Sequence, residues 1–189
     1  MTIPVPQSPI QSSLTGEVYT GNPATVNDVY NASATFPWPN GQRMALGTAI
    51  YTIDATTGSV LKWRYVRLNS TTNTTLVVGP VYYKDNTRGV VTIQSSESLM
   101  SYNGIAGFLM NTSATNGNFV FILVSGHAGA VAAPGSSAVG DQCVGASGAQ
   151  QLARVAAGTA PTYNVVALIE TAVAAGVSDM RVCVEDSGW

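Results

Sequence analysis

A Ser-His-Asp site in this chain would have to use its single histidine. His127 sits in Ser125-Gly126-His127, and an imidazole beside a serine suggests acyl transfer, with Ser125 as nucleophile, His127 as base and Asp141 to orient the ring. Ser125 and His127 would share a face of a strand. No Gly-x-Ser-x-Gly elbow surrounds a candidate nucleophile, so nothing in the local pattern positions either group. Cys143 with His127 is a second conceivable dyad, but it has no flanking signature and no evident orienting partner. The expectation is that His127 lies at the edge of a β turn and does no chemistry.

Metal and cofactor sites fare no better. One histidine and two distant cysteines cannot close a zinc site. Asp54, Asp85, Asp141, Asp179, Glu185 and Asp186 lack the spacing of a calcium loop. "GASGAQ" and "GVVTIQ" do not match a phosphate loop, and Glu97 and Glu170 form no evident acid pair for glycoside chemistry. The expectation is a structural or binding protein with no catalytic residue, no metal and no cofactor.

Composition points the same way. Only 10% of the 189 residues are charged while 46% are hydrophobic, against a usual charged share of about 25%. A surface so poor in ions tolerates being covered by other protein. The net charge of −2 and the scattered basic residues argue against nucleic-acid binding. The nearest basic cluster is Lys62, Arg64 and Arg67. Lys62 and Arg64 alternate with Trp63 and Tyr65 and are expected on a solvated strand face, with contact to an acidic partner as the functional alternative. "MTIPVPQSPIQSS" has no basic start and no apolar run of signal-peptide length, so no targeting segment is expected. No stretch approaches the roughly 18 apolar residues that span a membrane. The Asn-x-Ser/Thr triplets at Asn31, Asn69, Asn73 and Asn111 are read as turn chemistry. Cys143 and Cys183 are expected as buried free thiols, with a disulfide between them as the alternative in an oxidising compartment.

The elements that would carry such a surface are short strands. "VLKWRYVRL" alternates apolar and polar residues over much of its length. "MALGTAIYTI", "LVVGPVYY", "VVTIQ", "GIAGFLM" and "NFVFILV" are separated by turn-rich stretches, and Asn116-Gly117 is a hairpin signal. "QQLARVAAG" and "VVALIETAVAAG" could each be helical by propensity, but β-branched residues in the second and the following "MRVCVE" favour strands. An all-β protein is expected: a small β-barrel or sandwich body over residues 41–189. Residues 1–40 hold Pro4, Pro6, Pro9, Pro23, Pro37 and Pro39. Proline fixes φ and removes donors, so this stretch is expected to be an extended arm. Its sparse apolar anchors imply that it is either disordered in the free protein or laid on a partner, with Ile3, Pro4, Val5, Pro6, Ile10 and Trp38 as the contact residues in the second case.

The order of "MALGTAIYTID…LKWRYV", "GVVTIQSSES", "NGIAGFLMNTSATNGNFVFILVSGHAGAVAA", "VGDQCVGASGAQQLARVA" and "NVVALIETA…DMRVCVE" resembles capsid decoration (cement) proteins of tailed bacteriophages. The resemblance spans roughly residues 44 to 185. It rests on Gly104-Ile105-Ala106-Gly107, Gly117-Asn118-Phe119, a small-residue turn at Gly126-His127-Ala128, and Gly140-Asp141. It implies a β-rich body on the outer capsid surface of the virion, a homotrimer, and a major capsid protein as partner, with no nucleic acid and no membrane. The long proline-rich arm is a departure from that pattern. The rival is a receptor- or glycan-binding module of a phage fibre or adhesin, in which Trp63, Tyr82 and Tyr83 would surround a shallow groove.

Overall fold

The computed structural model describes residues 10–11, 18–19, 23–24, 45–54, 57–71, 75–86, 88–100, 104–172 and 176–184. Among these the chain is all-β, broken only by a 3-10 turn at Ser95–Glu97. The strands are β1 (Ile10–Gln11), β2 (Val18–Tyr19), β3 (Ala49–Ile53), β4 (Val60–Leu68), β5 (Gly79–Tyr83), β6 (Val90–Thr92), β7 (Ile105–Leu109), β8 (Phe119–Ala132), β9 (Gln142–Gly145), β10 (Leu152–Val155), β11 (Val165–Ile169) and β12 (Val177–Cys183). The two ambiguous segments of the last third are strands, β10 and β11. Pairing of β10 with β9, and of β11 with β9 and β12, overrides the helical propensity of their alanines.

β3 to β12 form one ten-stranded sheet rather than a clean barrel. Its order is β10-β9-β11-β12-β8-β7-β5-β6-β4-β3, and a further β4–β8 pairing closes β4, β6, β5, β7 and β8 into a ring. β3 flares from β4, while β12, β11, β9 and β10 flare from β8. β4 and β6 run parallel; the other pairs are antiparallel.

The ring explains the apolar pattern of its strands. Val66, Leu68, Val81, Tyr83, Val91, Ile93, Val120, Ile122 and Val124 belong to one buried cluster, drawn from one alternating face of the ring strands. The opposite faces place Trp63, Tyr65, Tyr82, Phe108, Phe119, Phe121 and Leu123 in a second cluster with Met180, Val182, Ile169, Val166 and Cys143 of the flared strands. "FVFILV" is therefore apolar without alternation because β8 is buried on both faces.

β8 has 14 residues and serves both halves of the sheet. Phe119 to Ser125 pair with β4, and Ser125 to Ala132 pair with β12. The strand changes partners at Gly126, whose φ is 121°. A Cβ there would stand 2.5 Å from Leu61 Cδ2 and 3.0 Å from the Val60 carbonyl oxygen, so only glycine fits. Gly126-His127-Ala128 is thus a bend inside a strand, which corrects the turn expected from its small residues. Small residues are needed here for close backbone approach, not for chain reversal.

Of the expected N-terminal arm, β1 and β2 pair antiparallel, with Ile10 opposite Tyr19, and β1 lies against β3. Pro23 is buried and Ala24 packs on the larger core. The remainder of residues 1–40 lies outside the described residues.

Gly126→Ala should cost about 2 kcal/mol or more, from left-handed strain plus the clash with β4. Phe121→Ala should cost about 3–5 kcal/mol. Both are read as a lowered urea midpoint with an unchanged denaturant slope. A neutral Gly126→Ala would refute the bend as a steric requirement.

Candidate functional site

His127 lies on β8 with Arg181 of β12 as its register partner. Its Nδ1 is 2.7 Å from Glu170 Oε2, and Arg181 Nε donates to Glu170 Oε1 at 2.9 Å. Glu170 follows β11 directly and is placed there by its backbone N–H, which donates to the Asp179 carbonyl. Partial burial pushes the Glu170 carboxyl up, but the hydrogen bonds from His127 and Arg181 and the Arg181 charge more than offset it, leaving it below the usual carboxylate range. A carboxylate on Nδ1 is how a catalytic histidine is oriented. Among the described residues, however, no serine or cysteine is hydrogen-bonded to His127.

The other groups of the sequence-based dyads serve elsewhere. Cys143 is three strand spacings from β8, through β11 and β12, or roughly 14 Å. Burial, the Asp141 charge and Cys183 push its thiol up to about 12, so it is protonated at neutral pH. Cys143 and Cys183 are free thiols, Cys143 fully buried and Cys183 partly so. Asp141 is buried and joins two loops. Its carboxylate accepts from the Ala138 N–H at 2.7 Å, from Arg154 Nε at 2.6 Å and from the Ala157 N–H at 3.0 Å. The Ala138 N–H foremost, with Arg154 and Ala157, holds its carboxyl below the ordinary aspartate range against the effect of burial. The Gly140-Asp141 step is therefore a structural clasp. The sequence motif pointed to the position but not to its partners.

Glu97 and Glu170 belong to separate clusters. Glu97 Oε2 accepts from Thr92 Oγ1 at 2.7 Å, and its Oε1 accepts from the Thr71 N–H at 3.1 Å and from the Thr71 hydroxyl. Partial burial raises the Glu97 carboxyl, but Thr71, Thr92 and the Lys84 charge outweigh it and hold it low. Among the described residues no group of three or more His, Cys, Asp or Glu could hold a metal ion.

The solvated basic face is corrected at Arg64. Its parity on β4 is that of Val66 and Leu68, so it turns toward the ring core and is buried. It donates to the Tyr83 hydroxyl, and its guanidinium lies 5.9 Å from the Tyr83 ring centroid. The aromatic groove also fails at the residues chosen for it. Trp63 is buried and donates Nε1–H to Thr52 Oγ1 at 2.9 Å, and Tyr82 is buried with its hydroxyl on the Ala146 and Gln151 carbonyls. Burial pushes the Tyr82 phenol up to about 12. Tyr83 is buried under Arg64.

The asparagine turns match expectation at Asn111, whose Oδ1 accepts from the Ser113 N–H at 3.0 Å. Asn69 follows β4 directly and instead accepts from Lys84. Asn31 and Asn73 lie outside the described residues. So do Ile3, Pro4, Val5, Pro6 and Trp38. Ile10, the remaining expected contact residue, sits in β1.

The exposed feature that sequence reasoning missed is the β3–β4 hairpin. Tyr51, Ile53 and Val60 are 57%, 66% and 61% exposed, with Ile53 directly opposite Val60. They form an apolar face on the sheet's edge strand, the strand that β1 lies against. Alternation in "AIYTI" was a usable signal, but which alternate set faced the core could not be read without the partner strand.

Among the described residues the fold is thus nearly all β, with a ten-stranded mixed sheet, a two-stranded sheet and an apolar edge. Comparison with protein-family models, curated proteins and solved structures finds no match to this chain.

Glu97, Asp141 and Glu170 all have lowered carboxyl pKa values in the folded state. Such groups contribute stability above their unfolded pKa values, about 4, and lose it as pH falls through the lower folded values. Melting temperature should therefore fall below about pH 4. Asp141→Asn should melt lower at pH 7 and lose less on acidification. An acid slope equal to wild type would show that Asp141 carries none of that linkage.

Proposed function

We propose that this chain is a capsid decoration protein: a barrel- or sandwich-like β body with a proline-rich N-terminal arm, bound as a homotrimer on the outer surface of a tailed-phage head. The observation that carries the reading is the apolar face of Tyr51, Ile53 and Val60 on the edge strand, beside the segment that leads back to the arm. A charge-poor chain with such an edge suits a protein whose surface is covered in its working state. The resemblance of residues 44–185 to cement proteins supplies the partner, the major capsid protein.

The mechanism is linkage. A protein that binds only the assembled, expanded shell stabilises that shell by mass action. Three arms on one trimer release together or not at all, so each need bind only weakly. A standard contact would bury on the order of 800 Å² per partner. Ile3, Pro4, Val5, Pro6, Ile10 and Trp38 are the arm residues proposed to lie on capsid. The glycan-binding alternative has lost its platform, because Trp63, Tyr82 and Tyr83 are core residues.

Light scattering followed by co-sedimentation with empty, expanded capsids tests this. A trimer that sediments with capsids to a saturable stoichiometry is expected. Removal of residues 1–25 should abolish sedimentation while preserving the β circular-dichroism spectrum. Undiminished binding of the truncated chain would overturn the role of the arm, and a full-length monomer left in the supernatant would overturn the cement reading.

A further inference from the structure

The ring of strands has a narrow seam. β4 and β6 meet over only two register positions, Arg67 with Val90 and Leu68 with Val91. Asn69 continues β4 past this contact, its N–H donating to the Val91 carbonyl at 2.7 Å. Lys84 continues β5 on the other side of β6, its N–H donating to the Val90 carbonyl at 3.0 Å. The two side chains then meet across the end of β6. Lys84 Nζ lies 3.3 Å from Asn69 Oδ1 and 3.1 Å from the Asn69 carbonyl oxygen. Glu97 Oε2 is 3.4 Å from the same Nζ. The Lys84 and Glu97 side chains keep only 24% and 15% of their surface exposed. Glu97 is fixed in turn by Thr92 and Thr71, which leaves it little freedom to swing away.

An amine with a carboxamide and a carboxylate both in reach of its nitrogen brings together the two reactants and the proton carrier of a transamidation. We propose that Lys84 and Asn69 become joined by an isopeptide bond, formed by the chain itself with Glu97 as the catalytic base and acid. Glu97 takes a proton from the Lys84 ammonium, and the freed Nζ lone pair attacks Asn69 Cγ. The tetrahedral carbon then collapses with cleavage of the Cγ–Nδ2 bond. Two protons leave Nζ in all, and Glu97 relays both to Nδ2, which departs as an ammonium ion. One ammonium and one primary amide become one secondary amide and one ammonium ion, so no oxidant or cofactor is needed. Glu97 finishes as the carboxylate it began as. A reaction that each chain performs once needs no speed.

The position of the bond gives it a purpose. It would join β4 to β5 around β6, which pairs with each of them over only two register positions. A crosslink of this kind constrains the unfolded chain, as a disulfide does, without needing an oxidising compartment. The inference is independent of the cement reading, since a stapled ring would serve any protein under load.

Intact-mass measurement of the purified full-length protein decides the matter. Wild type should be lighter than its sequence mass by one ammonia. Its tryptic digest should contain a branched peptide linking the Asn69 and Lys84 segments, with cleavage blocked at Lys84. Lys84→Arg keeps a positive charge opposite Glu97 but cannot form the amide, and Glu97→Gln removes the proton carrier. Both should have full sequence mass, and both should melt at lower temperature than wild type. Wild-type protein that retains its full mass after prolonged incubation in the folded state overturns the proposal. So does an ammonia loss that persists in Lys84→Arg, since that marks succinimide formation at an Asn-Gly pair such as Asn116-Gly117. The wild-type mass is decisive even if a variant fails to fold.

Discussion

Residues 119–124 lie between two hydrophobic clusters, and the rest of the sheet is arranged around that fact. Val120, Ile122 and Val124 fill one cluster, and Phe119, Phe121 and Leu123 fill the other. A strand buried on both faces must have covering structure on each side. The ring supplies one side by closing on itself. The flared strands β9 to β12 supply the other by packing Cys143, Val166, Ile169, Met180 and Val182 over the ring's outer aromatics. Both demands fall on β8, so it must belong to the ring and the flared strands at once. Gly126 makes this possible by letting the backbone bend where a side chain would strike Leu61.

Polar groups then tie strand ends and loops together, between the two halves and within the flared one. The Tyr82 hydroxyl reaches the Ala146 and Gln151 carbonyls. Gln150 is buried and pairs its amide with both backbone groups of Val77, at 3.1 Å and 2.7 Å, as a strand neighbour would. Asp141 gathers the loops on either side of β9 and β10 through Ala138, Arg154 and Ala157. Each bond satisfies a group that would otherwise be buried without a partner, the costly outcome. The charged groups of this protein are few, and several are spent on such internal ties. On the edge strand β3 the apolar face of Tyr51 and Ile53 stays exposed.

Much of this architecture was legible in the sequence. "VLKWRYVRL" is β4 from first residue to last, and the segments around β5, β6 and β7 were recognisable from β-branched and aromatic residues between turns, while that of β11 read as strand or helix. The errors have specific causes. Gly126-His127-Ala128 looks like a turn because small residues mark both chain reversal and close backbone approach, and local sequence cannot distinguish them. Arg64 looked solvated because alternation reveals that two faces differ but not that both are buried. Trp63, Tyr82 and Tyr83 looked available because aromatic residues suit a groove and a core equally.

What the sequence determined by itself was local: the strand periods, the Asn- and Gly-based turns, and the scarcity of charge. These follow from backbone preferences and from side-chain spacing along one strand, which neighbours in sequence are enough to define. Only the tertiary structure decided the ring closure through β4 and β8, the partner of each buried polar group, and the meetings of His127 with Glu170 and of Asn69, Lys84 and Glu97. Those pairs lie 43, 15 and 13 residues apart in sequence. They come together because strands far apart in the chain are driven side by side to bury their apolar faces, and no local pattern records which strand will be the neighbour.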